Sequence, residues 1–173
     1  MPFLEMRLVD EFDGDVAAGE TGELLLRGPQ MFAGYLHDAA RTAAALASGG
    51  WLRTGDLARR AGDGAYAIAG RRKEMFISGG ENVFPAEVES VLALCPGVAE
   101  VAVVGVQDSL WGEVGRAFVV RTTDSMITEQ AVIEYARDRL ATFKTPKSVA
   151  FVATIPRLGS GKIDRSRLIG TSA

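Results

Sequence analysis

Cysteine and histidine are almost missing from this chain of 173 residues: Cys95 and His37 are each the only one of their kind. One thiol cannot close an intrachain disulfide, so a reducing, cytoplasmic setting is expected. Cys95, in Leu94-Cys95-Pro96 at an expected helix end, reads as a small buried apolar residue. One histidine, in Tyr35-Leu36-His37-Asp38 with no ligand spacing around it, gives no histidine-based metal site and no histidine-dependent triad. Long apolar runs are also absent, and none reaches the length of a membrane span. Met1-Pro2-Phe3-Leu4-Glu5 lacks the basic stretch and apolar core of a secretion signal. Nor is there an excess of positive charge: 19 Lys and Arg against 22 Asp and Glu leave a net charge of −3. Such a chain has no electrostatic reason to bind nucleic acid or an anionic membrane. There is no low-complexity tract and no internal repeat.

What is present is the composition of a globular protein, 47% hydrophobic and 24% charged. The length suits one domain, or one small domain with a piece of another. The first part reads as β: strands over residues 3–9 and 22–27, the latter ended by Gly28-Pro29. An Ala-rich helix is expected over 38–47, with Asp38 as N-cap and Gly49-Gly50 stopping it. Strands follow over 51–60 and 65–68, separated by a hairpin turn at Asp63-Gly64. The charged run 70–74 (GRRKE) suits a linker.

Beyond it, a short apolar stretch at 75–77 leads to Gly79-Gly80. Pro85 opens a helix over 85–94, where its missing N–H has no partner to lose and Glu87 and Glu89 suit the helix dipole. Residues 98–106 are nearly all apolar and read as a central buried strand; 117–121 is another. An amphipathic helix over 128–140, capped by Thr128, offers Ala131, Ile133, Ala136 and Leu140 to the core. A strand over 148–152, a Gly-Ser-Gly loop and a helix from about Asp164 close the chain. The expected fold is therefore α+β: a β-rich piece over 1–70, a hinge at 71–74, and a compact α+β domain over 75–173.

Five segments carry a more specific signal: 22–36 (GELLLRGPQMFAGYL), 51–57 (WLRTGDL), 70–89 (GRRKEMFISGGENVFPAEVE), 108–112 (DSLWG) and 156–165 (PRLGSGKIDR). In order and spacing they resemble the C-terminal portion of the adenylate-forming superfamily, which holds acyl-CoA synthetases, peptide-synthetase adenylation domains and firefly-type luciferases. The likeness covers nearly the whole chain. It implies a β-rich remnant of the large domain's barrel subdomain, followed by a small mobile domain that rotates between two half-reactions. In the first, a carboxylate attacks the α-phosphate of ATP and pyrophosphate leaves. In the second, the thiol of CoA displaces AMP. ATP, Mg2+ and CoA are the implied cofactors, with the Mg2+ site outside this chain.

The resemblance also assigns residues. Asp56, in the TGD motif, is implied to accept hydrogen bonds from both ribose hydroxyls, which suits a group with two acceptor oxygens and no donor. Arg71 is the second ribose-facing candidate. Lys73 falls at the hinge, where a charged side chain stays solvated while backbone dihedrals change. Gly79 and Gly80 fall on a loop that faces the pantetheine arm, where glycine permits close backbone approach. Trp111 matches a CoA-facing position, with a buried core role as the alternative.

Lys162, in Gly159-Ser160-Gly161-Lys162, is the implied adenylation lysine, carried on a flexible loop. Its compact charge can align the carboxylate with the α-phosphate. The string is not a P-loop, because Ile163 follows the lysine and no strand precedes it. Its form also resembles a lysine-acetyltransferase target, and acetylation would remove the charge.

The superfamily's phosphate loop, its adenine and magnesium motif and its acyl pocket have no counterpart among these segments. An N-terminal domain is thus an expected partner, beside a carboxylic acid and CoA, and the chain is not expected to act alone. Self-association through strands such as 24–26 is a further expectation. Two other readings stay open: the tail of an adenylation domain that loads a carrier protein, and a non-catalytic interaction module that kept the fold.

Overall fold

The computed structural model describes residues 3–170. Met1, Pro2 and residues 171–173, which fall within the expected 1–70 and 75–173 segments, lie outside the described residues. The chain divides into two compact units, Met1–Lys73 and Glu74–Ala173, each with its own core.

In the first unit, β1 (Glu5–Val9) pairs antiparallel with β2 (Thr21–Arg27). Helix α1 (Ala39–Ala45) follows, capped by the Asp38 carboxylate, which accepts from the Arg41 backbone N–H. It ends earlier than expected. Leu46–Ala47 leaves the helix as β3, which pairs with the start of β4 (Trp51–Arg60), and Gly49 and Gly50 form the turn between them at φ of 75° and 76°.

Strand β4 is the centre of this sheet, with β2 on one side and β3 and β5 (Tyr66–Arg71) on the other. Gly70 and Arg71 therefore belong to a strand and not to a linker; the β4 partner Asp56 draws the pairing on to Arg71. Alternation sends Leu8, Leu24 and Ala58 to one face and Val9, Leu25 and Trp51 to the other. Strand β2 is paired on both edges, so residues 24–26 offer no edge to a second copy.

In the second unit, β6 (Phe76–Ser78) and β7 (Glu81–Val83) form a hairpin, followed by α2 (Pro85–Leu92). The long strands β8 (Val98–Asp108) and β9 (Gly112–Arg121) form a second hairpin. Helix α3 (Glu129–Arg137), capped by Thr128, leads to β10 (Ser148–Phe151), which lies parallel to β9. The short α4 (Arg165–Ile169) comes last. Strand β9 is central, with β8 along one side and β10 and β6 on the other.

Two expectations change here. Strand β8 pairs only with β9, so it is an outer strand, although its apolar run suggested the centre. Both of its faces are covered. Val103 packs with Val88, Leu92 and Val132 on the side of α2 and α3, while Ala102 and Val104 pack with Phe118, Ile155 and Leu168 on the side of α4. In α3, Ala131 is exposed and Val132 and Ala136 are buried, because the helix is rotated so that its 132/136 stripe meets the sheet.

Outer strands leave backbone donors unpaired. Here a glutamate of α2 and one of α3 each take up one such donor. Glu89 Oε1 accepts the Val103 N–H at 2.7 Å, and Glu129 Oε1 accepts the Val149 N–H at 2.8 Å. Glu89, expected to serve the helix dipole, is therefore a tertiary contact.

Strands β8 and β9 also carry a cross-strand glycine pair, Gly105 opposite Gly115, and the buried Phe76 lies over it. A Cβ on Gly105 would come within 2.5 Å of Phe76 Cβ, whereas on Gly115 the nearest atom is Phe76 Cζ at 3.4 Å. Gly105→Ala should therefore cost about 1–3 kcal/mol by overpacking, and Gly115→Ala clearly less. Urea denaturation of the two variants checks this.

Candidate functional site

Asp56 and Arg71 face each other across β4 and β5, and the structure brings them together: Arg71 Nε lies 2.9 Å from Asp56 Oδ1. Gly55 at φ 71° makes the local turn, and Thr54 braces it. The Thr54 hydroxyl donates to the Leu24 carbonyl at 2.7 Å and accepts the Asp56 N–H at 3.0 Å, while Arg71 donates to the Thr54 carbonyl at 2.8 Å. Both partners of the ion pair are partly exposed, so its contribution to stability is about 0–1 kcal/mol. Its effect is to orient. Arg71 holds Oδ1 and turns the carboxylate, while the second oxygen stays available to accept.

A group absent from the sequence reading adjoins this pair. Glu23 is buried, at 4% exposure, and accepts from Arg53 at 2.9 Å and from Arg72 at 3.2 Å. Arg53 also pairs with Asp13. Glu23, Arg53, Thr54, Gly55, Arg71 and Lys73 line one open cleft. Glu23 went unrecognised because its partners stand 30 and 49 residues away and no local pattern marks them. Lys73 itself is exposed, in a short 3-10 turn over Arg72–Glu74.

In the second unit the structure joins Gly79 to Trp111 and sets Gly80 apart. Gly79 and Gly80 are the two-residue turn between β6 and β7, at φ of 61° and 86°, a primed turn that suits hairpin twist. The Gly79 N–H donates to the Trp111 carbonyl at 2.9 Å, and a Cβ on Gly79 would lie 2.6 Å from Trp111 Cε3. Nothing lies within 4 Å of a Cβ on Gly80. Trp111 is therefore neither a core residue nor fully exposed. Its ring covers the glycine backbone, and Lys147 Nζ sits 4.7 Å from the ring centroid.

Asp108 builds the turn that presents Trp111. Its Oδ1 accepts the N–H groups of Leu110 and Trp111, each at 2.9 Å. The Trp111 and Leu110 N–H groups hold the Asp108 carboxyl below its ordinary range. Burial, by contrast, pushes the Cys95 thiol up, in keeping with an inert core cysteine.

Lys162 is exposed, and among the described residues its ammonium has no hydrogen-bond or ion-pair partner. Its loop is not slack, which corrects the expectation of a flexible carrier. Leu158 N–H donates to the Lys162 carbonyl and Gly161 N–H to the Leu158 carbonyl, both at 2.8 Å, and Arg157 and Ile163 form an isolated bridge. Arg157 also donates to the Gly161 carbonyl at 3.0 Å and to Glu100 at 2.7 Å. A free ammonium on a closed turn can reach a ligand without first breaking a contact.

Among the described residues no group of three or more His, Cys, Asp or Glu could hold a metal ion, and no helix is long and apolar enough to cross a membrane.

The first unit thus carries a carboxylate turned by an arginine, Asp56 with Arg71, and the second an exposed turn-borne lysine, Lys162. Residues 87–162 match the AMP-binding enzyme C-terminal domain family, and the chain is similar to CoA ligases and to solved adenylate-forming enzymes. It is 49% identical over 156 residues to a propanoyl:CoA ligase of Mycobacterium tuberculosis whose acyl group carries a methyl-dioxo-octahydro-indenyl ring system. That match covers 90% of this chain and 31% of the relative. The o-succinylbenzoate CoA synthetase of Bacillus subtilis, solved with an acyl-adenylate intermediate, superposes with a TM-score of 0.93 at 32% identity, over 99% of this chain and 35% of that one. An ATP-bound structure of MatB from Rhodopseudomonas palustris gives 0.89 at 36% identity, over 98% and 34%. The chain spans about a third of the length of the curated relatives it matches.

Two outcomes follow from the Trp111 corner. Gly80→Ala should cost about 1–2 kcal/mol from left-handed backbone alone, and Gly79→Ala more, because its Cβ also meets the indole; denaturation and the indole NMR signal read both. A depressed carboxylate stabilises the turn above its unfolded pKa and loses that effect as pH falls through the lowered one. The indole signal of Trp111 should therefore shift only below about pH 3.9, the ordinary Asp value. Asp108→Asn, which keeps an acceptor oxygen, should abolish that shift.

Proposed function

We propose that this chain is the C-terminal part of an ATP-dependent carboxylate–CoA ligase and that Lys162 is its adenylation lysine. The observation that carries the reading is the unpartnered Lys162 ammonium on a hydrogen-bonded turn. A carboxylate oxygen attacks the α-phosphorus of ATP, the bond to the bridging oxygen breaks, and pyrophosphate leaves. Lys162 aligns the two anions and offsets charge as the bond forms. Asp56, turned by Arg71, accepts from the ribose hydroxyls. The thiolate of CoA then attacks the acyl carbon and AMP leaves, with Gly79, Gly80 and Trp111 on the side that meets the pantetheine arm.

Lys73, in the 3-10 turn over Arg72–Glu74, acts as the hinge between the large-domain remnant over 1–70 and the mobile domain over 75–173. Mg2+ would neutralise the phosphates of ATP. Among the described residues no carboxylate cluster fits it, and no step here runs through it. An upstream body is the required partner, and the cytoplasm, where ATP and CoA meet a reduced Cys95, is the proposed setting.

The test is carboxylate-dependent ATP–pyrophosphate exchange by the chain co-expressed with an upstream body. The chain alone should be inactive. Lys162→Ala should lower exchange by about two to three decades. Exchange that survives Lys162→Ala undiminished overturns the assignment, and offering CoA against a phosphopantetheinyl carrier identifies the acceptor. Lys73→Pro should impair the two half-reactions unequally; equal loss argues against a hinge there. The exposed Lys162 is also a proposed acetylation site, and loss of exchange after treatment with a lysine acetyltransferase and acetyl-CoA, with the mark mapped to Lys162, checks it.

A further inference from the structure

Arg165 stands three residues beyond Lys162, and its side chain is only 17% exposed. Its Nε donates to Glu74 Oε2 at 3.0 Å, and its two terminal nitrogens donate to Glu89 Oε1 and Oε2 at 2.8 and 3.2 Å. Glu74 is the residue after Lys73, and Glu89 on α2 also holds the Val103 N–H. A planar fork spanning two carboxylates is a task for arginine that the point charge of lysine cannot repeat. Only Ile163 and Asp164 separate this anchor from Lys162, and both are tied down: Ile163 by its bridge to Arg157, and Asp164 by its N–H to the Pro156 carbonyl at 2.8 Å. The opposite side of the turn is held by Arg157 on Glu100. No slack remains between the guanidinium and the lysine.

We infer that Arg165 is a positioning residue for Lys162: it fastens the base of the lysine turn to Glu74 and Glu89, so that the ammonium is carried by the second unit as a rigid body. This rests on the reading of Lys162 as the adenylation lysine. A helix anchor that served only to seat α4 would be needed equally in both half-reactions. An anchor for Lys162 is needed where Lys162 acts.

The experiment uses the chain together with its upstream body and compares Arg165→Met, Lys162→Ala and the double variant. Pyrophosphate exchange should fall about 10- to 100-fold in Arg165→Met, the scale expected when a reacting group is displaced by about an ångström. The double variant should be no slower than Lys162→Ala, since residues that act as a unit are not additive. Thioester formation from supplied acyl-adenylate should stay within about threefold of the parent on the same grounds. Hydrogen exchange of the Leu158 and Gly161 amides should accelerate while the Phe118 and Val119 amides stay protected.

Full additivity with Lys162→Ala, equal loss of both half-reactions, or unchanged turn amides overturns the inference. If Arg165→Met does not fold, Glu89→Gln carries the same comparison, because its amide oxygen still accepts from Val103 while the negative charge and the second acceptor of the fork on Arg165 are lost. If Lys162→Ala abolishes exchange and the anchor variants do not lower it, only this inference falls. If Lys162→Ala leaves exchange intact, the underlying assignment falls and this one with it.

Discussion

The second unit is held by a carboxylate used twice. Glu89 takes the outer backbone donor of β8 and, with the same side chain, the fork of Arg165. Burial works against the Arg165 charge, and Glu89 and Glu74 outweigh it, so the guanidinium is held above its ordinary value. Removing Glu89 would leave this largely buried guanidinium with Glu74 alone, which costs more than the loss of a surface pair. One contact set thereby fixes an outer strand, helix α2, helix α4 and the residue that opens the unit.

The same economy appears at β10, another outer strand, where Glu129 takes the Val149 N–H. Both glutamates sit near helix starts. There a negative charge is favoured by the helix dipole and is also within reach of the neighbouring sheet edge. Helices thus cover the faces of the sheet, and their glutamates take a backbone donor at two of its edges.

The residues proposed for the chemistry are set apart from this packing by their exposure. Asp56 is turned by Arg71 but keeps an oxygen free. Trp111 lies on the Gly79 backbone and leaves a face toward Lys147. Lys162 projects from a turn closed by the Leu158 and Gly161 backbone hydrogen bonds. In each case rigid backbone contacts hold a side chain whose polar or aromatic surface is not consumed by the fold, as a preorganised site requires.

Much of this was legible in the chain itself. Strand β4, the Asp38 and Thr128 caps and the Gly79-Gly80 turn follow from local patterns, alternation and capping chemistry, while the candidates Asp56, Arg71 and Lys162 come from motifs that resemble a known family. Those signals act over a few residues and need no partner from afar. Tertiary structure alone decided the rest. It made β8 an outer strand, since apolar content reports burial and not pairing. It extended β5 to Arg71, because Asp56 stands opposite. It rotated α3 onto Val132, because the sheet and not the helix chooses the buried stripe. It also made Arg165 the anchor of the lysine turn, because Glu74 and Glu89 lie 91 and 76 residues away. Ion pairs over such separations leave no periodic trace in a sequence and exist only once the fold has closed the distance.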